Sequence, residues 1–169
     1  MALSSQIRVS ITGTLSKTRD LSSPQAQIAL SLLATLADGT TNVQADKAWD
    51  DTRTLAASAT EDLDMGTGAG QLVDALGDAF APAEVVAVMI FAAAANTNTV
   101  VVGAAAAEPF LGPMGGTTPT TTIKPGGCLL WYAPAGWTVT NNSNDKIKVA
   151  NSGAGTGVDY SIVIIGRSA

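Results

Sequence analysis

Between Thr120 and Gly166 the chain is cut into short apolar runs by turn residues. The runs TTTI, CLLWYAP, GWTVT, KIKVAN and VDYSIVII are rich in Val, Ile, Thr, Trp and Tyr. Pro-Gly-Gly, Pro-Ala-Gly, Asn-Asn-Ser-Asn-Asp and Gly-Ala-Gly close them. No stretch between the turns is long enough, or has the right period, for an ordinary helix. Short strands at this spacing belong to an antiparallel β-sandwich or barrel. On spacing alone the class is mainly β, an antiparallel β-sandwich or barrel; with the rest of the chain the expected fold is a jelly-roll-like antiparallel β-sandwich.

The first two thirds extend that pattern. Ile7, Val9 and Ile11 alternate with Arg8, Ser10 and Thr12, which predicts a half-buried strand over Gln6–Thr12. Lys17–Pro24 reads as a polar connection. Gln25–Leu36 fits a strand through Ile28, Leu30, Leu32 and Leu36, although its Ala and Leu content also fits a helix. Asp38–Thr41 is a turn, and Asp50-Asp51 reads as a turn or cap pair with Arg53 as a local partner. Arg53–Met65 keeps one parity through Leu55, Ala57, Ala59, Glu61 and Leu63, predicting one long strand. Leu72, Val73, Leu76 and Phe80 fall on one face of a short helix over 71–80, weakened by Gly77 and ended before Pro82. Glu84–Ala93 reads as a strand buried on both faces. Thr99–Gly103 reads as another, joined to it by an Asn96-Thr97-Asn98 hairpin turn. Gly112–Thr122 is a loop. A length of 169 residues suits one domain, 1–169, with residues 1–20 a candidate arm or partner-contacting segment.

The residue inventory restricts the chemistry. There is no histidine, which excludes His-based triads and His-ligated zinc. The single Cys128 has no partner for an internal disulfide, and within CLLWY it reads as a small buried hydrophobe. Glu61, Asp62 and Asp64 share a predicted strand but not one face, so they do not form a metal site. Gly66-x-Gly68-x-Gly70 lacks the last glycine of a dinucleotide loop and the Lys-Ser/Thr of a phosphate loop; it reads as a glycine turn. The expected catalytic, cofactor and metal sets are all empty. Charged residues make up 14% and the net charge is −5, a poor match to nucleic acid, where Lys and Arg neutralise phosphates. The run Val85–Ala95 is too short to span a bilayer. MALSSQIRVS lacks the basic and apolar segments of a secretory signal. The expectation is a protein made in a cytoplasm, with no nucleic-acid or membrane partner.

Five blocks carry a resemblance. They are Ala37–Met65, Leu72–Phe80, Asn96–Phe110, Ile123–Thr140 and Asp145–Gly166, spread in order over about three quarters of the chain. Together they resemble small structural proteins of tailed bacteriophages, of the capsid decoration or cement kind. The resemblance implies a virion location, the major capsid protein as partner, self-association as a homotrimer, and no catalytic residues. A minor tail or neck adaptor is the alternative, and a host-glycan-binding module using Trp131 or Trp137 is a second. Candidate partner contacts are Ile7, Val9 and Ile11 on the first strand, Met114 in the loop, and Trp131 and Trp137.

Overall fold

The structure, a computed structural model, describes residues 2–169. Ten strands build it: β1 (Ser5–Ser16), β2 (Gln25–Leu36), β3 (Lys47–Leu55), β4 (Thr60–Asp64), β5 (Glu84–Ala92), β6 (Val100–Gly103), β7 (Thr120–Ile123), β8 (Cys128–Thr138), β9 (Lys146–Asn151) and β10 (Val158–Arg167). Strands β1 and β2 form a hairpin of their own, while β3-β10-β5-β8 and β4-β9-β6-β7 make two four-stranded sheets. Every pairing between strands is antiparallel. Counting only the eight sandwich strands in chain order, the sheets run 1-8-3-6 and 2-7-4-5, the double Greek key of a jelly roll.

The core follows from period two. On β10, Val158, Tyr160, Ile162 and Ile164 point inwards, and Asp159, Ser161, Val163 and Ile165 point out. On β9, Ile147 and Val149 do the same from the facing sheet. Leu55, Leu63, Phe80, Val88, Ile90, Val100, Val102 and Ile123 also belong to the buried cluster. At about 25 cal/mol per Å² removed from water, this burial is the main stabilising term.

Several sequence expectations need correction. Residues 71–80 are not helical. An isolated antiparallel bridge joins Val73 to Ala79, and the Asp74 carboxylate accepts from the Leu76 and Asp78 amides. Gly77 sits at φ +93, so its left-handed backbone turns the chain where a helix would continue. Leu72 and Phe80 are buried, but Val73 and Leu76 are exposed; the apparent helical stripe was two core anchors and a turn. The described residues hold one single-turn 3-10 segment, Gly112–Met114, inside the expected loop, and no helix long and apolar enough to cross a membrane.

Arg53–Met65 is two strands. Ala59 N–H donates to Ala56 O, and Ser58 has φ 56, so the chain crosses from one sheet to the other between Leu55 and Leu63. Alternation continues through the turn, which is why periodicity missed it. Asp50 and Asp51 lie within β3 rather than in a turn, although Arg53 does pair with Asp51 at 3.1 Å. Asn96-Thr97-Asn98 is not a hairpin turn. It carries the chain from β5 to β6 in the other sheet, where β6 pairs with β7 and β9. The Asn98 amide ties this crossing by donating to Asn151 Oδ1, Gly153 O and Thr156 O. Pro134-Ala135-Gly136 is not a strand end but an irregularity inside β8, opposite the register shift between Val85 and Ala87.

Candidate interaction surface

The β1–β2 hairpin stands apart from both sheets. Its register sets Ile7 opposite Ala34, Val9 opposite Leu32, Ile11 opposite Leu30, Gly13 opposite Ile28 and Leu15 opposite Ala26. Residues directly opposed on an antiparallel pair share a face, so one face of the ribbon is apolar from end to end. The other face is Ser, Thr, Gln and Arg8, interrupted by Ala29 and Leu33. Lys17 N–H to Pro24 O and Arg19 N–H to Ser22 O close the tip.

Only the base of the apolar face is covered. Ile7, Ala34 and Leu36 are buried in a second cluster with Ala45, Val86 and Ala87, and Leu130, Tyr132 and Ile165 pack against it. This cluster lies on the outer face of β3-β10-β5-β8. Beyond it the ribbon leaves the body: Ile11 is 61% exposed, Leu30 70%, Ile28 59% and Leu15 68%.

The outer face of that sheet is arranged in rows across the strands. Ile165, Ala87 and Tyr132 form the row under the hairpin base. The next row is Asp50, Val163, Met89 and Leu130, and the third is Thr52, Ser161, Phe91 and Cys128. Val163, Met89 and Phe91 remain more than 40% exposed. A groove of about 630 Å³ opens between the hairpin base and these rows, lined by Val9, Met89, Cys128, Leu130, Val163 and Ile165 among others. Cys128, expected to be buried, is exposed here, because its parity on β8 is that of Leu130 and not of the inward Leu129 and Trp131.

Most charged groups inside the body pair with one another, while Asp145 Oδ1 is buried without a hydrogen-bond partner. Glu61 accepts from Arg53 Nη1 at 2.7 Å and from the Tyr160 hydroxyl at 2.6 Å, and the Arg53 guanidinium stacks 5.5 Å from the Trp49 ring centroid. Burial, reinforced by the bond to Glu61, pushes the Tyr160 phenol far above its ordinary range. Asp64 accepts from Gly66 N–H, while Lys146 donates to Glu108 and lies 3.8 Å from Asp64. Asp145 is buried; it accepts from Asn142 N–H at 2.6 Å, and burial raises its carboxyl above the usual range. Gly66 packs so closely on Asp145 and Asn141 that a Cβ there would fall within 2.4 Å of their oxygens. Glycine at this turn is thus required by packing. Among the described residues no three acidic, His or Cys side chains are grouped to hold a metal ion.

The predicted contact residues separate into two sets. Ile7, Val9 and Ile11 share the ribbon's apolar face, running from buried through half-buried to exposed. Met114 is half-buried, with its sulfur 3.9 Å from Thr121 Oγ1. Trp131 and Trp137 are half-buried against the main core, which leaves less of each indole for stacking on a sugar. What sequence reasoning missed is β2's share of the arm and the outer rows of the sheet. The alternation of Met89 and Phe91 with buried neighbours was present, but it was read as burial on both faces. No protein-family model matches this chain, and no curated protein does.

Proposed function

We propose that this protein is a structural subunit of a tailed-phage particle, a decoration protein bound to the outside of the major capsid protein shell. The observation that carries the reading is the arm: a ribbon apolar along one face, mounted on a jelly roll and uncovered over its outer two thirds. A fold alone does not assign a function, but a displayed apolar face calls for a protein partner. The ordered resemblance to phage structural proteins supports the choice of partner. The net charge of −5 suits an outer face turned away from packaged DNA. The engagement of Glu61, Asp64 and Glu108 in internal pairs supports a scaffold over a chemical site. Binding would proceed by burial of apolar surface, multiplied over many equivalent positions on the shell.

Gel densitometry of purified particles against the major capsid protein tests this. Hundreds of copies per particle, and particles less resistant to heat without the protein, are expected. A handful of copies would overturn it in favour of a tail or neck component.

A further inference from the structure

We propose that the arm's occupant is a second copy of this chain: the distal apolar face of one arm lies on the exposed Val163–Met89–Phe91 rows of a neighbour's outer sheet. This deepens the reading as an assembly subunit but does not require a capsid to test.

The first support is that the arm is incomplete as a structure. A two-stranded ribbon is marginal alone in water and needs a further layer against its apolar face. From Ser10 to Ser16 the uncovered part is about 24 Å long at ~3.4 Å per residue. None of the described residues covers it.

The second is that the same chain carries a matching vacancy. The base of the hairpin already shows what its apolar face packs on, namely Ala87, Tyr132 and Ile165 of the outer sheet. In the next two rows Val163, Met89 and Phe91 continue the same surface and are exposed. A neighbour's arm laid there extends a contact of a kind the fold already makes.

The third is charge. Residues 5–36 carry Arg8, Lys17 and Arg19 against Asp20, a net +2, and the remainder of the chain carries −7 of the total −5. The open rows are flanked on the same outer face by exposed Asp50 and Asp159. A cationic arm tip therefore meets an acidic body in the exchanged arrangement. It meets another cationic tip if two arms pack on each other.

One arm contact is small, roughly 10 Å wide by the two-strand spacing, and below the ~800 Å² per partner of a stable pair. Exchange engages each copy twice, through its arm and through its rows. An open chain of copies would leave one of each uncovered at its ends, so a closed symmetric assembly is expected.

The test uses the purified full chain. Sedimentation should show a closed oligomer whose dissociation constant rises at least tenfold between low and high salt. Cysteines placed singly at Leu15, Ile28 or Leu30 should, in at least one case, form intermolecular disulfides with native Cys128 under mild oxidation. The same variants carrying Cys128→Ser should not cross-link. Linking that persists without Cys128 would mean arm against arm and would overturn the proposal. So would a chain that stays monomeric at all attainable concentrations, an outcome that leaves the capsid reading standing with the arm docked on the shell.

Discussion

Replacing Arg167 with methionine isolates how the two ends of the sandwich chain are fastened. Arg167 closes β10 and is only 4% exposed. Its Nε and Nη2 face Glu84 Oε2 at 2.5 Å each. Nη1 donates to Thr41 O at 2.9 Å and Pro134 O at 3.0 Å, and Nη2 also donates to Ala135 O. All five donors of the fork are used, joining the start of β5, the loop after β2 and the irregular stretch of β8. Methionine keeps much of the stem volume and removes every donor. Three backbone carbonyls then each lose one hydrogen bond, at about 1 kcal/mol each, although Thr41 O keeps the Gln44 amide and Pro134 O the Val43 amide. Glu84 is 34% exposed at its side chain, so water replaces the guanidinium and its share is small. The expected loss is about 3 kcal/mol, or a fall in Tm of ~6–12 °C for a chain of this size. Lysine should rescue little, since an ammonium cannot span a planar five-donor site. Scanning calorimetry of the three proteins measures it. A loss under about 1 kcal/mol for Arg167→Met would refute the reasoning, because the fork's bonds would then add nothing to the amides and water that also reach these carbonyls.

Two further predictions separate covered from uncovered groups. On one face of one hairpin, Leu36→Ala should cost about 2–5 kcal/mol because Leu36 is fully buried, while Ile28→Asp should change monomer stability by less than about 0.5 kcal/mol; urea unfolding below the association threshold compares them. Tyr160 gives an alkaline limit. Its folded-state pKa lies above the ordinary value of 10.0, through burial first and the Glu61 bond second. The stability it contributes is therefore intact below about pH 10 and falls as the pH rises beyond that. Absorbance at 295 nm should show its phenolate appearing only as the protein unfolds, a step that Tyr160→Phe abolishes.

Much of the sandwich was legible because its strands obey period two with turn residues between them. β9 and β10 place Ile147, Val149, Ile162 and Ile164 where alternation puts them. Errors arose where a local pattern outlived its element. The parity of Leu55, Ala57, Ala59 and Glu61 passes through a turn made of small residues, and the 71–80 stripe imitates a helix with anchors from a bridge. The pairing of sheets was not legible at all. Whether β6 joins β5 or β9 depends on contacts far apart in sequence, and Asn96-Thr97-Asn98 serves as a hairpin turn or a sheet crossing equally well.

The arm shows the same limit from the other side. Ile7, Val9 and Ile11 alternate as regularly as the strands of the core, and alternation states only that one face expects an apolar cover. In β10 that cover is β4 and β9 of the same chain. In β1 and β2 it is the body's own sheet for the first two pairs and, among the described residues, nothing thereafter. The sequence pattern does not change at Val9, where the cover ends. An apolar ribbon left bare would pair indiscriminately at its edges and face. In the proposed exchange its polar reverse face and the Lys17 and Arg19 side chains at the tip, beside Asp20, would favour one-sided contact with an acidic apolar surface. The exposed rows of the outer sheet present that surface on every copy.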